Sequence, residues 1–370
     1  MRETTAKLSS EKGDSGHNRA PFVLMGASLG NLGGTGVYTR RLLKGFCTAA
    51  QGRVSVALGR GLVTPEEALG MEPGIGAVHK FLQENYLLNA AVRRSRPSLV
   101  HLPAFGGRVT GGIPYAVTVH DLAFMRNSSW FPPLRSVYYS LRFKRVAAGA
   151  EVVMADSNFT ASEIRQLLKI DPFRIRRVYL STDTFEGDSG TWRASAGLRG
   201  DYIVYAGTVE PRKNIEALLG AWKEVKRKHG GLTLVIAGRW GWGPKSLRRS
   251  LERTQGVIHT GRLSRGELCD CISGARLMVY PSYYEGFGLP PLEAASAGVP
   301  SVVTPAEVLV EIYGDVARVA EGFDKDSLAE AILDELDTPA DPGGLRDFAS
   351  AFTVEAMARE VLKVYGEFAK

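Results

Sequence analysis

Tyr284-Glu-Gly-Phe-Gly-Leu-Pro-Pro-Leu-Glu-Ala294 stands between an apolar run that reads as a strand, Leu277-Met-Val-Tyr280, and an apolar pattern that reads as a helix over 288–297. Gly286 and Gly288 let the backbone approach a ligand closely, and the helix N-terminus behind them offers unpaired N–H groups to an anion. Glu285 and Glu293 are eight residues apart, so Glu285 falls in the loop and Glu293 about one and a half turns into the helix. A loop carboxylate can accept hydrogen bonds from sugar hydroxyls, and one deeper in the helix can grip a ribose diol. A solvated acidic loop would explain the charges but not the Gly-Phe-Gly between them.

Outward from this motif the same strand–helix alternation repeats. In the second half, strands are expected at Tyr202–Ala206, Leu232–Ala237, Val257–Thr260, Leu277–Tyr280 and Val299–Val303, with helices at about 213–229, 244–254, 264–274, 288–297 and 325–336. In the first half, Phe22–Met25, Val54–Leu58, Leu99–Leu102, Tyr115–Val119, Val152–Met154 and Ile175–Leu180 read as strands, with helical spacing after Val37, around 134–147 and around 160–169. Alternation of this kind implies an α/β fold with a parallel sheet in each half. The chain of 370 residues exceeds the size of a single growing core. The expected layout is a disordered tail over 1–20, an N-terminal domain over 21–185, a linker from Ser181 to Gly200 rich in Gly, Ser, Asp and Thr, and a C-terminal domain over 201–345. A last amphipathic helix, within 353–370, has no strand after it.

Three further loops follow strand ends. Ala206-Gly-Thr-Val-Glu-Pro-Arg-Lys-Asn214 sets Arg212 and Lys213 where a helix begins, so a phosphate there would gain two cations and the helix dipole. An ordinary strand–helix turn with surface charges is the plainer reading. Gly30-Asn-Leu-Gly-Gly-Thr-Gly36 brings Gly34 and Gly36 to the position where α/β sheets hold phosphates or sugars, without a regular GxGxxG or GK[ST] signature. Val119-His-Asp-Leu122 ends a strand with His120, a candidate functional group whose plainer reading is a satisfied core histidine. His101 also ends a strand, but its Leu-Pro surroundings suggest no partner.

Composition narrows the rest. Three cysteines without framework spacing, Cys47, Cys269 and Cys271, indicate a reducing compartment and small core thiols rather than a metal site. No run approaches the ~18 apolar residues of a membrane span, and the first twenty residues lack the apolar core of a signal peptide. A cytoplasmic location follows as an expectation. The net charge of +7 is uneven: residues 1–185 carry 24 Lys/Arg against 13 Asp/Glu, the remainder 22 against 26. A basic N-terminal half suggests an anionic partner. One candidate segment is Pro132 to Val146, where Arg135, Arg142, Lys144 and Arg145 lie beside Tyr138, Tyr139 and Phe143, a mixture suited to an anionic bilayer surface. Packing of its aromatic face into the domain, with solvated basic residues, fits the same pattern. The basic residues do not alternate with an RNA-binding aromatic motif, so nucleic acid is not expected.

Taken together, Gly207-Thr-Val-Glu-Pro-Arg-Lys-Asn214, Pro281-Ser-Tyr-Tyr-Glu-Gly-Phe-Gly-Leu-Pro290 and Leu292-Glu-Ala-Ala-Ser-Ala-Gly-Val-Pro300 closely resemble family-4 retaining glycosyltransferases, the group 1 glycosyl transferases. The resemblance covers about 20–368 and includes Gly33-Gly-Thr-Gly-Val-Tyr-Thr39 and Thr118-Val-His-Asp-Leu-Ala-Phe124. It implies the GT-B fold, two Rossmann-like domains facing a central cleft, with the C-terminal helix crossing back to the N-domain. It also implies a nucleotide-diphosphate sugar donor, with a lean to GDP-mannose and UDP-sugars next, and a glycan, lipid-linked or small-molecule acceptor. By the same resemblance Glu285 contacts the transferred sugar and Glu293 the ribose. Arg212 and Lys213 hold the diphosphate, with backbone N–H groups of Phe287, Gly288 and Leu289 and the Gly286 loop beside them. His120 lines the donor sugar from the opposite domain. Two positions depart from the common pattern: Thr208 stands where many members have Arg, and Ser181-Thr-Asp-Thr184 replaces Asn-Gly-Val-Asp. The first departure bears on individual phosphate ligands.

Such an enzyme cleaves an anomeric C–O bond while negative charge grows on the leaving diphosphate. Arg212, Lys213 and the helix amides are expected to carry that charge, with no metal and no cofactor. Two other readings are a nucleotide-sugar epimerase or other enzyme on the same scaffold, and a non-catalytic sugar-nucleotide binder.

Overall fold

The computed structural model describes residues 20–369 except 32, 59–60, 72–87, 105–106, 108, 132, 184, 186, 188 and 199. All of the expected tail but Ala20 lies outside the described residues. Short strands, buried in the middle of each sheet and partly exposed at its edges, build two sheets. The first contains β1 (Phe22–Met25), β2 (Val54–Leu58), β3 (Gly61–Val63), β4 (Leu99–Leu102), β5 (Tyr115–Val119), β6 (Val152–Ala155) and β7 (Ile175–Arg177), in the order β3-β2-β1-β4-β5-β6-β7. Every pair is parallel except β2 with β3. The second contains β8 (Tyr202–Ala206), β9 (Thr233–Ala237), β10 (Val257–Gly261), β11 (Leu277–Tyr280), β12 (Ser301–Val303) and β13 (Arg318–Val319), parallel throughout in the order β10-β9-β8-β11-β12-β13.

Each order reverses beside the first strand of its sheet, between β1 and β4 and between β8 and β11. Connections leaving such a switch point go to opposite faces, which opens a crevice beyond the carboxyl ends of the strands. The loops carrying Arg212 and Glu285 follow β8 and β11, the two flanks of the second switch point. The glycine loop follows β1 in the first sheet, and His120 follows β5.

Most expected helices are found within a residue or two of their expected ends, at Ile215–Lys228, Lys245–Arg253, Arg265–Ser273, Leu289–Ala297 and Lys325–Asp337. The segment read as a linker behaves differently. It carries a helix, Ser189–Ser195, and buries Phe185, Trp192 and Leu198 against Tyr202 and Val204 of β8. Three large apolar residues among Gly and Ser were enough to draw it into the second core. Helices Glu307–Tyr313 and Pro342–Ser350 and strands β3 and β13 were not legible; they are short, and Gly343-Gly344 is a poor helical sequence.

The C-terminal helix Val354–Gly366 crosses back to the N-domain and lies on the helix Gly34–Ala49. Close contact depends on Gly45, since a Cβ there would stand 2.2 Å from the Val354 carbonyl oxygen. Tyr365 is wholly buried beside Phe22 and Phe46, and its hydroxyl meets Nδ1 of His101 at 2.7 Å. His101 therefore has partners after all, Tyr365 and Thr118. Burial lowers its pKa to about 3, with His120 adding to the effect, so the ring is a neutral structural group.

Candidate active site

β11 ends at Tyr280, and the chain turns through Pro281–Gly288 before the helix Leu289–Ala297 begins. Gly288 has φ +88°, and a Cβ there would lie 2.8 Å from Leu309, so this turn needs glycine. Phe287 anchors the loop from below: its side chain is buried between Tyr179, Tyr313 and Phe352. Pro290 and Pro291 have no N–H, so the unpaired donors of this helix start are concentrated just before them. Among the described residues no backbone carbonyl takes the N–H groups of Phe287, Gly288 or Leu289. That leaves a small cradle of positive dipole.

Glu285 is buried and bonded to both cations that follow β8. Nζ of Lys213 contacts Oε1, and Nη1 of Arg212 donates to Oε2 at 3.0 Å. Lys213 also donates to the Tyr280 hydroxyl at 2.9 Å, and Arg212 to Glu210 at 2.6 Å and the Tyr284 carbonyl at 3.0 Å. The turn that presents them is a 3₁₀ segment, Pro211–Lys213, closed by Asn214 at φ +53°. Burial alone would raise the Glu285 pKa, but the Arg212 guanidinium and Lys213 ammonium hold it at about 2. Lys213 is pulled below its usual value by burial and by Arg212, while Glu285 opposes both. The cluster is thus two cations and two carboxylates, Glu285 and Glu210, buried together at the switch point.

His120 belongs to the facing domain. Its Nδ1 meets Asp156 Oδ2 at 2.7 Å, and its Nε2 meets the Pro103 carbonyl at 2.9 Å. A carbonyl only accepts, so Nε2 carries a proton, and a further proton is shared between Nδ1 and Asp156, whose carboxyl is itself pushed up by burial. Burial acts to lower its pKa, and Asp156 with Pro103 more than offsets this, so the value is raised. Both nitrogens are spent within the N-domain, and the imidazole does not touch Glu285. His120 reaches the glutamate loop through its backbone instead: a Cβ on Gly286 would fall 1.5 Å from the His120 carbonyl oxygen.

Around that contact the two domains are closed on each other. Ser157 and Thr160 hydroxyls donate to the Gly286 carbonyl at 2.7 and 3.1 Å, and the Leu122 amide donates to the Tyr284 hydroxyl at 3.1 Å. Glu311 accepts the amides of Asn158 and Phe159, both at 2.7 Å. At the outer lip the Trp242 indole donates to the Trp130 carbonyl, and Trp130 stacks on Tyr283.

Glu293 sits in a second ionic cluster. Its Oε1 accepts from Arg41 Nη2 at 2.7 Å and Arg265 Nη1 at 2.8 Å. Arg41 and Arg265 both reach Asp183 Oδ2 as well, at 3.2 and 3.3 Å, and Lys44 holds Oδ1 at 2.8 Å. Burial would raise the Asp183 pKa, but Lys44 and Arg41 bring it to about 2. Sequence reasoning passed over Arg41, Arg265 and Asp183. The available signal was Arg41 itself, a charge on the buried face of an amphipathic helix.

Of the glycine-loop candidates, Gly36 is buried, and a Cβ would overlap the Asn31 carbonyl at 1.6 Å. Gly34 is exposed, opens the helix Gly34–Ala49 and has open space above it. In the basic segment the side chains of Arg135, Tyr138 and Tyr139, together with Pro132, lie outside the described ones. Phe143 is buried against Phe124 in the helix Pro133–Gly149, whereas Lys144 and Arg145 are exposed beside Leu141, itself 69% exposed. Among the described residues no helix is long and apolar enough to cross a membrane.

Known proteins resemble this chain in sequence and fold. The family model for Glycosyltransferase Family 4 matches residues 32–185, and that for Glycosyl transferases group 1 matches residues 190–347. An O-antigen chain mannosyltransferase B of Escherichia coli is 32% identical over 59% of this chain and 60% of its own length. An MMP alpha-(1->4)-mannosyltransferase of Mycolicibacterium hassiacum is 26% identical over 69% of this chain and 65% of its own. The matched part therefore spans less than two thirds of either relative. The crystal structure of Anabaena HepE in complex with UDP and glucose superposes with a TM-score of 0.71 at 17% identity, covering 94% of this chain and 99% of that one. With two largely parallel sheets facing one cleft, and family models matching both halves, the chain belongs to the glycosyl transferases group 1 family and has the GT-B fold.

Proposed function

We propose that this chain is a retaining hexosyltransferase that takes a hexose from a nucleotide-diphosphate sugar without a metal ion. The observation that carries the reading is the buried Arg212–Lys213–Glu285 cluster beside the unpaired amides of Phe287, Gly288 and Leu289. A diphosphate placed between the two cations and the amides would take over the charge that Glu285 now compensates. Glu285, released from one of them, would then accept from sugar hydroxyls. As the anomeric bond opens, negative charge grows on the leaving phosphate, where Arg212, Lys213 and the helix start stabilise it. The acceptor hydroxyl attacks the same face and passes its proton to the departing phosphate. His120, held in place by Asp156 and the Pro103 carbonyl, lines the donor sugar from the facing domain.

GDP-mannose is the favoured donor, because two relatives are named as mannosyltransferases, with UDP-sugars second. A glycan or lipid-linked acceptor fits the O-antigen relative. The exposed Leu141, Lys144 and Arg145 support an approach to the inner, anionic face of a membrane. A thermal-shift screen of nucleotide sugars tests the donor: a true ligand at a hundredfold excess over Kd stabilises by about 2.7 kcal/mol. Sugar transfer or donor hydrolysis should persist after exhaustive EDTA treatment. Activity that is lost and then restored by Mg²⁺ or Mn²⁺ contradicts the role given to Arg212 and Lys213. The absence of any nucleotide-sugar stabilisation contradicts the whole reading.

A further inference from the structure

We infer that Arg41 and Arg265 are specificity-determining positioning residues, which pin one oxygen of Glu293 so that the other is presented to the nucleotide's ribose. The inference rests on the reading of Glu293 as the ribose carboxylate. Two guanidiniums from different domains converge on Oε1, at 2.7 and 2.8 Å, while no donor among the described residues meets Oε2. An ion pair selected for stability alone would favour the fork geometry, one nitrogen to each carboxylate oxygen. Crowding both cations onto Oε1 instead leaves Oε2 as an oriented acceptor.

The rest of the cluster makes that orientation rigid. Arg41 is 2% exposed and uses Nε for Asp183, Nη1 for the Ser181 carbonyl at 2.7 Å and Nη2 for Glu293, so its guanidinium cannot turn. Arg265 repeats the bridge between Glu293 and Asp183 from the opposite side, with its guanidinium 4.5 Å from the centre of the Phe185 ring. Two arginines and two carboxylates close a ring, with Arg41 and Glu293 on its buried side and Arg265 and Lys44 towards solvent. A free glutamate would lose rotamer freedom on gripping a diol, whereas here that freedom is already gone before the ligand arrives. A nucleotide lacking the 2′-hydroxyl would leave Oε2 short of the donor it is set to meet, which is how a site discriminates against the deoxy analogue. Arg41 also makes the discrimination depend on domain closure, because it reaches Glu293 from the first helix of the N-domain.

The test is calorimetric titration of the full chain with GDP and 2′-deoxy-GDP, repeated with UDP and 2′-deoxy-UDP. Wild type should prefer the ribonucleotide by about tenfold, and Glu293→Gln should remove the preference. Arg265→Gln and Arg41→Lys should each bring it within about threefold, by weakening the ribonucleotide and leaving the deoxy form almost unchanged. Arg265 is 41% exposed, so its variant decides the matter even if a change at buried Arg41 prevents folding. Full preference retained in the arginine variants but lost in Glu293→Gln overturns the positioning role while sparing Glu293 as the ribose ligand. A wild type that binds nucleoside diphosphate with no ribose preference overturns both assignments but leaves the diphosphate site standing.

Discussion

Glu285 holds two positions at once. It is the expected partner of the transferred sugar, and without donor it is also the counter-charge of two buried cations. From the sequence, Glu285→Gln reads as a change in chemistry alone. With Arg212 and Lys213 buried against it, the same change leaves positive charge uncompensated, and cases of this kind lose about 3–5 kcal/mol. The expected outcome is loss of transfer together with a lower melting temperature, recovered in part by nucleoside diphosphate. The pH dependence follows from the depressed pKa. The contribution of the ionised Glu285 is fully present above its unfolded value of 4.5 and fades as pH falls towards its folded value of about 2. The stability gap between wild type and Glu285→Gln should therefore be widest above pH 5 and narrow through this range. Chemical denaturation of both proteins at several pH values measures it; a gap independent of pH removes Glu285 from the ion pair.

At the scale of the element, the Pro281–Gly288 loop decides whether the cleft can close. Gly286 has no left-handed backbone requirement, yet its Cα lies against the carbonyl of His120, and its own carbonyl receives Ser157 and Thr160. Gly286→Ala would put a methyl group into that contact, where neither backbone can give way without separating the domains. The proposed donor cradle, Phe287 to Leu289 with the two cations, lies wholly on the C-domain. Nucleoside diphosphate affinity should accordingly stay within about threefold, while kcat falls by roughly a hundredfold, because closure and not ground-state binding is lost. Titration and steady-state kinetics on the same variant separate the two. A weakened Kd with unchanged kcat would place the glycine in the binding site rather than in closure.

At the scale of the whole molecule, two facing switch points and the returning helix Val354–Gly366 define the cleft, and the outer surface decides where the enzyme works. On the helix Pro133–Gly149, Phe143 faces the N-domain core while Leu141, Lys144 and Arg145 face out. Half of the alternative reading is therefore realised, since an aromatic residue is buried, and the exposed face still combines an apolar residue with two cations. Sedimentation with phosphatidylglycerol vesicles at low salt should bring wild type down. Lys144→Gln with Arg145→Gln should weaken binding by about thirtyfold, at about 1 kcal/mol per basic residue. Equal binding by the double variant would move the membrane contact elsewhere or favour an acceptor free in solution.

The local rules carried a large part of this protein. Buried strands of parallel sheets are short runs of apolar residues bounded by loops, so every strand but the edge strands β3 and β13 could be read. Glycines beside a helix start likewise exposed the Glu285 loop, because a close backbone approach excludes any other residue there. Contacts between segments far apart in the chain left no periodic trace. Tertiary structure alone made Glu285 the counter-ion of Lys213, gave His101 to Tyr365, and turned both nitrogens of His120 towards its own domain. It also carried Arg41 to Glu293, across 252 positions of sequence. Pattern reports which face of an element is apolar; which charges meet is decided by the packing of two domains, where a buried ion persists only if another brings it a partner.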